Sequence, residues 1–206
     1  MTTITSIDQL EAIYGRLDDI GEASTAKVVD RLIPPYRAYV EASPFVALAT
    51  VGPEGLDCSP RGDRGQVVAI QNERTLLIPD RRGNNRIDSL RNIVRDPRVA
   101  LMFLLPGSGT VFRVNGRAHV SVDPALLATR AAEGKKPRTV IVVEIVECYF
   151  QCARAVVRSE LWNPERFLTA GEIPTPGDVL AMMSQGRVGG EAYDTVWPAR
   201  AAASLW

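Results

Sequence analysis

The sequence is poor in the residues on which metal sites and acid–base catalysis most often depend. Its 206 residues contain one histidine, His119, and three cysteines, Cys58, Cys148 and Cys152. Their spacing matches no zinc signature and no carboxylate completes a Ser/His/Asp set, so we predict no metal site and do not favour hydrolysis. We interpret His119 as a packed or surface residue. Cys148 and Cys152, four apart on a predicted strand, are interpreted as inert buried residues on one face.

Net charge and long apolar runs are also missing. The 24 basic and 24 acidic residues cancel, so we expect neither nucleic acid nor an anionic membrane surface as a partner. The run VALMFLL is much shorter than the ~18 apolar residues of a membrane-spanning helix. The start, MTTITSIDQLEAIYG, lacks the apolar core of a secretory signal, and the odd cysteine number suits a reducing compartment. We therefore expect a cytoplasmic protein.

Positive charge is nevertheless concentrated in one segment. Between Arg61 and Arg98 there are nine arginines and five acidic residues, an excess of four. Three of these arginines, Arg81, Arg82 and Arg86, come at the start of a predicted helix. Any anion site in this neutral chain must be local, and we expect it here.

The predicted helix lies in GNNRIDSLRNIVRDP, with its first turn near Asn84 to Asp88 and its end at Asp96-Pro97. A helix N-terminus exposes N–H groups and partial positive charge, and normally attracts acidic residues instead of arginines. A phosphate would satisfy the amides, the dipole and the guanidinium groups together, so we predict a phosphate-bearing ligand; a solvated basic loop is the alternative. The apolar face of this helix comprises Ile87, Leu90, Ile93 and Val94.

The remaining pattern predicts a mainly β protein with flanking helices. Residues 5–42 are predicted to be helical, with Ser6 as an N-cap and a second helix broken by Pro34-Pro35. From residue 44 onward, β-rich runs alternate with tight turns, and Asp123-Pro124 begins one helix. Hairpins without regular βαβ alternation favour an antiparallel barrel over a doubly wound nucleotide-binding fold. The β-rich runs are FVALATV, LDCSP, QVVAI, TLLIP, VALMFLL, TVFRVNGRAHVSV and RTVIVVEIVECYFQCARAV.

One structural domain is expected. We assign residues 1–42 to an N-terminal helical extension packed on the barrel, 43–165 to the barrel, and 166–206 to a C-terminal helix and tail. The C-terminal helix is PGDVLAMMSQG, with Thr175 as its N-cap and Pro176 at its first position. The pattern after Arg187 predicts no element.

Three further segments have two interpretations each. The run SPRGD, at residues 59–63, is either a surface turn or a strand end at which Gly62 admits a ligand and Arg61 supplies charge. The PGSGT loop lacks the Lys-Ser/Thr of a phosphate-binding loop, and we interpret it as a hairpin tip. Trp162 could stack on a planar ligand, but packing at the barrel end is favoured.

Four blocks together resemble the pyridoxamine 5'-phosphate oxidase-like family of FMN-binding split β-barrel proteins. The blocks are SPFVALATVGPEGLDCSPRGD, TLLIPDRRGNNRIDSLRNIVRDPRVALMFLLPG, TVFRVNGRAHVS and CYFQCARAVVRSELW. The resemblance covers roughly residues 40–165, and the N-terminal helices with RSELW are similar to a bacterial subgroup of unassigned substrate. It implies a homodimer with two FMN molecules at the subunit interface, each touched by both chains.

The resemblance also implies cofactor-binding residues. Along the flavin and its phosphate side lie Ser59, Pro60, Arg61 and Gly62. Backbone groups at the isoalloxazine edge come from Ile78, Pro79 and Asp80. The phosphate is held by Asn84, Asn85 and Arg86. From the other subunit, the ring is approached by Leu105, Pro106, Gly107, Arg113 and Trp162.

The function that follows is FMN-dependent hydride transfer through flavin N5, with no side chain needed as acid or base. Arg113 is the candidate for stabilising the negative charge of the reduced flavin. Residues 188–206 contain Arg200 but no histidine, whereas the family's true oxidases have a basic, histidine-containing end, so we do not expect vitamin B6 as substrate. The alternatives are a deazaflavin-binding protein, a haem protein with His119 or a cysteine as axial ligand, and a non-catalytic flavin-storage protein.

Overall fold

The computed structural model describes residues 3–205, and its centre is one seven-stranded sheet in which every pairing is antiparallel. The strand order is β2-β1-β5-β6-β7-β4-β3. The predicted hairpins are confirmed as β1–β2, β3–β4 and β5–β6. The strands are β1 (Phe45–Gly52), β2 (Gly55–Gly62), β3 (Ala69–Asn72), β4 (Thr75–Pro79), β5 (Arg98–Leu104), β6 (Val111–Ser121) and β7 (Val140–Gln151).

Short helices occupy the connections and both ends of the chain. Within the described part, the long insertions between strands hold α4 and α5, and the rest flank the sheet in sequence. The helices are α1 (Ile7–Tyr14), α2 (Glu22–Thr25), α3 (Pro34–Ala42), α4 (Asp88–Arg95), α5 (Pro124–Thr129), α6 (Arg154–Arg158), α7 (Pro176–Met183) and α8 (Glu191–Ser204), with 3-10 turns at Leu17–Asp19 and Pro164–Arg166.

The sheet is a split antiparallel barrel, as predicted. Strands β2 and β3 stand at the two ends of the strand order and are not paired with each other within residues 3–205. Alternate residues of the central strands point inward and are buried, as the two-residue side-chain period requires. Helix α3 covers one end of the core, where the rings of Tyr36 and Phe112 lie 5.1 Å apart. A single apolar core therefore connects α3, α4 and the strands.

The prolines at 34 and 35 act differently from the prediction. They do not break a helix but begin α3, because a proline in the first turn has no N–H to leave unpaired. Ile33, just before them, is extended, and further upstream the Val29 and Cys148 backbones exchange hydrogen bonds of 3.1 and 2.7 Å. By contrast, Ser6, Asp123 and Thr175 are confirmed as N-caps.

The buried face of α4 also differs from the prediction. The helix begins at Asp88, a few residues later than expected, and Ile87 and Val94 are exposed. Its buried residues include Ser89 and Asn92, whose polar side chains find partners on the sheet. Asn92 Nδ2 donates to Thr50 Oγ1 at 3.1 Å. Apolar spacing alone misjudged this face, because two of its inward positions are polar and hydrogen-bonded.

The cysteine prediction is half right. Cys148 is fully buried, and burial, with the nearby Asp30 and Glu147 carboxylates, raises the pKa of its thiol to about 11, which makes it inert at neutral pH. Cys152 is exposed, because β7 ends one residue earlier and the strand alternation does not reach it. His119 lies exposed on β6.

The C-terminal segment forms a pair of helices: α7, which lies within the predicted PGDVLAMMSQG, and α8, which lies in the stretch after Arg187 where the pattern predicts no element. Helix α8 follows α7, and the Asp194 carboxylate accepts hydrogen bonds from Thr175 Oγ1 at 2.5 Å and from the Gly177 amide at 2.9 Å. This carboxylate ties α8 to the beginning of α7. No helix within residues 3–205 is both long and apolar enough to cross a membrane.

Candidate functional site

A polar cluster joins β2, β4 and α4 at one end of the sheet. Arg61 Nη1 donates to Asp80 Oδ1 at 2.8 Å, and its Nη2 donates to Ser89 Oγ at 3.1 Å. Ser89 in turn donates to Asp57 at 2.6 Å, and Ser59 donates to the same Asp57 oxygen at 2.9 Å. Arg61, on the edge strand β2, therefore links the residue after β4 to α4.

One donor of this cluster has no protein partner. The Nε atom of Arg61 is buried and makes no hydrogen bond within the described chain, although both terminal nitrogens are used. Buried guanidinium groups normally use all their donors, and an unpaired one costs about 1–3 kcal/mol. Such an atom indicates a water or a ligand at this position.

Strand alternation divides the candidates on β2. Arg61 and Ser59 stand opposite the buried Val46 and Leu48, so they point to the inner face with the polar cluster. Pro60 and Gly62 are exposed and belong to the opposite face. The sequence analysis grouped these four residues of β2 together, but two of them lie on its inner face and two on its outer face.

Two of the three arginines before α4, Arg81 and Arg86, are paired with carboxylates, which the sequence did not predict. Arg81 Nη2 lies 2.8 Å from Asp63 Oδ2, and both side chains are largely buried. Arg86 Nε lies 3.0 Å from Asp88 Oδ2 on the surface. These ion pairs neutralise part of the positive charge that the sequence places before α4.

The two asparagines shape the loop before α4. Asn84 Oδ1 accepts the Arg86 backbone N–H at 3.0 Å, which turns the chain toward the helix. Asn85 adopts the left-handed conformation, with φ of 63°, which asparagine tolerates better than most residues. Its Oδ1 accepts a hydrogen bond from Arg138 Nη1 at 3.1 Å. Both asparagines and Arg86 are exposed at this loop.

The end of β4 is tied into the fold. Ile78 and Pro79 are buried, and Pro79 stands opposite Val140 of β7. The Asp80 amide donates to the Thr139 carbonyl at 2.9 Å, and the Pro79 carbonyl accepts from the Arg81 amide at 3.1 Å. These two backbone groups are therefore already engaged within the chain.

A second group of candidates meets at the β5–β6 connection. Trp162 Nε1 donates to the Ser108 carbonyl at 2.8 Å, which holds the indole against the loop that contains Leu105, Pro106 and Gly107. Gly107 has φ of 79°, a conformation that favours glycine. Trp162 is therefore attached to the β5–β6 connection by this hydrogen bond.

The two groups lie at the same end of the sheet. Phe45 of β1 is opposite Gly62 on one side and Leu104 on the other, so the strand ends are two strand spacings apart, about 10 Å. Arg113 lies in the adjacent outer row, where its guanidinium stacks over the Tyr149 ring at 5.4 Å from the centroid.

An open cleft of about 300 Å³ separates the β1–β2 turn from α4. Arg86, Arg91 and Arg95 line it from the helix side, opposite the carboxylates of Glu54 and Asp57. Its charges are balanced, because Arg95 Nη1 contacts both oxygens of Glu54 at 2.5 Å and Arg86 is paired with Asp88. Among residues 3–205 no group of three or more His, Cys, Asp or Glu is arranged to hold a metal ion.

Several residues of this site were missed from the sequence. Ser89 accepts a hydrogen bond from Arg61, and Asp57 accepts one from Ser89. Arg138 donates to Asn85, and the Thr139 carbonyl accepts from the Asp80 amide. The two-residue spacing of Asp57, Ser59 and Arg61 in LDCSPRG was the one available signal, since it places three polar side chains on one strand face.

Comparison with known proteins identifies the central part of the chain. Residues 32–152 match the family model described as pyridoxamine 5'-phosphate oxidase, which is more than half of the 206 residues. No curated protein sequence matches the chain.

Similar solved structures cover somewhat more than half of this chain. HupZ from Group A Streptococcus has 14% identity and a TM-score of 0.48, with 59% of this chain and 94% of that chain covered. A Lactobacillus delbrueckii protein described as a candidate pyridoxamine 5'-phosphate oxidase has 23% identity and a TM-score of 0.47, with 59% and 95% covered. The FAD binding protein from Mycobacterium smegmatis has 15% identity and a TM-score of 0.40, with 60% and 97% covered.

Proposed function

Because the chain belongs to the pyridoxamine 5'-phosphate oxidase family, we propose that it is an FMN-binding oxidoreductase that transfers a hydride to or from a small molecule. The observation that carries the proposal is the buried, unpartnered Nε of Arg61, whose Nη2 donates to Ser89 in the first turn of α4, the helix that follows Asn84, Asn85 and Arg86. A phosphate-bearing flavin fits this donor set, because it offers acceptors to donors that the protein leaves unused.

The phosphate end of the site is assigned to Asn84, Asn85 and Arg86, with Arg61 supporting it from β2. The Arg86–Asp88 pair is exposed, with 77% and 45% of the two side chains accessible, so it contributes only about 0–1 kcal/mol. A phosphate dianion can therefore replace Asp88 as the partner of Arg86 with little loss of stability. The amide groups of the asparagines add neutral donors at the same loop.

The ring end of the site is assigned to Pro60 and Gly62 on the outer face of β2, with Ile78, Pro79 and Asp80 at its edge. The β5–β6 loop, Arg113 and Trp162 approach the ring from the second copy of the chain. When bound, FMN supplies the N5 atom through which a hydride is accepted or given up. The chain positions the ring, and the Arg113 guanidinium stabilises negative charge at the pyrimidine end. The stacking of the Arg113 guanidinium over the Tyr149 ring holds its positive charge in one position.

We propose a homodimer with FMN at the interface. On the outer face, Pro60, Ala47, Met102, Arg113 and Tyr149 follow one another across five strands. The row mixes small and apolar residues with one cation, and Met102 is 41% exposed, as a surface that receives a second copy would be. The three cysteines are free, which supports a reducing, cytoplasmic location.

Vitamin B6 phosphate is not the substrate that we propose. Arg200, the one cation of residues 188–206, lies over the Tyr193 and Trp197 rings at 4.8 and 5.1 Å from their centroids. Its guanidinium is engaged within α8, so the C-terminal helix offers no free cation for a second phosphate.

The first test is the purified protein itself. We expect a yellow protein with one FMN per chain, and we expect Arg86→Ala to lower FMN affinity about 10- to 100-fold, because it removes a charge-assisted hydrogen bond. Fluorescence titration and the absorption spectrum measure both and distinguish FMN from deazaflavin or haem. Arg82→Ala is the matched control, since Arg82 is an exposed neighbour to which we assign no role. Wild-type FMN affinity in Arg86→Ala would refute the phosphate assignment.

The role of Arg113 is tested by the rate of flavin reduction, not by FMN affinity. Arg113→Ala should slow reduction of the bound flavin by about 10-fold or more, because one directed positive group is removed, while FMN retention changes little. Stopped-flow absorbance with dithionite or a nicotinamide donor measures the rate. An unchanged rate together with lost flavin would contradict the electrostatic role, and failure of every reductant to turn over would favour a storage protein.

A further inference from the structure

Two buried side-chain atoms lack partners within the described chain, and both lie next to Asp80. One is Nε of Arg61, whose Nη1 is bonded to the Asp80 carboxylate, and the other is Oγ1 of Thr139. The Thr139 carbonyl accepts the Asp80 amide hydrogen at 2.9 Å. Unpaired buried polar atoms are rare, so two around one residue indicate a shared ligand position.

We infer that Arg138 and Thr139, on the segment before β7, form a second arm of the phosphate site. In this arm the Arg138 guanidinium binds the phosphate of FMN and the Thr139 hydroxyl hydrogen-bonds the same cofactor. The inference rests on the proposed function and adds two ligands outside the segments to which the family's motifs point in this chain.

The register places Thr139 beside the polar cluster. Pro79 is opposite Val140, so the next pair along the two strands is Asp80 and Thr139. Side chains of directly opposed residues in an antiparallel pair lie on the same face, about 5 Å apart. The Thr139 hydroxyl therefore shares the face on which Asp80 meets Arg61.

Arg138 is held at the loop but keeps most of its donors. Its Nη1 donates to Asn85 Oδ1 at 3.1 Å, and within residues 3–205 it makes no ion pair. The other arginines of the cluster each contact a carboxylate, Arg61 at Asp80 and Arg86 at Asp88. Arg138 is therefore an oriented cation whose charge is not already neutralised.

The chemistry of a phosphate monoester matches this arrangement. A guanidinium offers five N–H donors in a planar fork, and a phosphate accepts two of them side by side. Asn85, whose backbone is left-handed, accepts one hydrogen bond from Arg138. This contact connects the loop before α4 to the segment before β7. The ligand is then bound from the α4 side by Arg86 and from the β7 side by Arg138.

The test compares FMN with riboflavin, which has the same ring and no phosphate. We expect Arg138→Gln to weaken FMN binding to the purified apoprotein about 10- to 100-fold in a fluorescence titration, with riboflavin affinity unchanged. Arg82→Gln, which removes an equally exposed arginine, should change neither affinity. Equal FMN affinity in Arg138→Gln and wild type would overturn the role of Arg138.

Thr139→Val is expected to change the melting temperature differently in the absence and in the presence of FMN. Without FMN the change removes a buried, unpaired hydroxyl, so we expect the melting temperature to rise by about 2–4 °C. With FMN the same change removes a ligand, so the stabilisation by saturating FMN should be smaller than in wild type. An unchanged FMN-induced shift would overturn the role of Thr139.

The outcomes separate the two proposals. If wild-type protein binds neither FMN nor riboflavin, the proposed function fails and this inference fails with it. If wild-type protein binds FMN tightly while the variants at 138 and 139 bind it equally well, the proposed function stands and the second arm is refuted.

Discussion

Phe112→Ala is expected to lower the free energy of unfolding by about 3–5 kcal/mol, as other large-to-small changes of buried aromatic residues do. The side chain is fully buried on β6, and its ring lies 5.1 Å from Tyr36, 5.8 Å from Tyr39 and 5.6 Å from Phe103. It therefore joins α3 to the sheet, and no neighbour can fill the space without leaving its own contacts. Urea or guanidinium unfolding followed by circular dichroism measures the change.

The cross-strand partner of Phe112 supplies a matched control. Phe150 stands directly opposite on β7 but is 38% exposed, with Lys27 over its ring at 4.8 Å. We expect Phe150→Ala to lose about 1 kcal/mol, because less apolar surface returns to water. Equal losses from the two variants would contradict the placement of Phe112 at the centre of the core.

Arg61→Met is expected to reduce both stability and FMN binding. Removing one partner of a buried ion pair costs about 3–5 kcal/mol, and the partial exposure of this pair lowers the expected loss to about 2–3 kcal/mol. Asp80 would be left without its guanidinium, and Ser89 would lose a donor. Denaturant unfolding measures the first effect, and FMN titration, with an expected loss of at least about 10-fold, measures the second.

A double-mutant cycle separates the ion pair from the flavin site. Asp80→Leu combined with Arg61→Met should recover part of the stability lost in Arg61→Met, because two paired charges are replaced by two apolar groups. FMN affinity should not recover, since the donor is still missing. Arg64→Met is the surface control: Arg64 is 78% exposed and its distance to Glu133 is 3.6 Å, so its loss should stay within about 0.5 kcal/mol. Recovery of both properties in the double variant would refute a direct role of Arg61 in binding.

The strands could be predicted from the sequence because their signals are local. FVALATV and TLLIP are β-branched, apolar runs bounded by turn residues, and each became a strand near the expected position. Helix caps such as Thr175 were equally predictable, since an N-cap acts on an amide two or three residues away. The last helix, α8, has Pro198 inside it and follows two glycines, so its local signals opposed the structure that forms.

The site was less predictable because its contacts join distant segments. Arg61 finds Asp80 at a separation of 19 residues, and Arg81 finds Asp63 at 18, so counting charges along the chain could not show that these arginines are neutralised. The buried Ser89 and Asn92 were missed for a related reason. Their partners are on β1 and β2, and apolar periodicity does not record a polar residue that is satisfied from another element.

The strand order has a consequence for how the chain folds. The three hairpins join neighbours in sequence and can form quickly, whereas β1–β5 and β4–β7 join strands that are more than 40 residues apart. Those two long-range pairings close last, in the millisecond-to-second range that is typical of β topologies. Arg61 lies on the first hairpin and Asp80 directly follows the second. Their contact therefore forms only when both long-range strand pairings have formed. Acquisition of the flavin during refolding is therefore expected to report the final step of barrel assembly, with hairpin formation already complete.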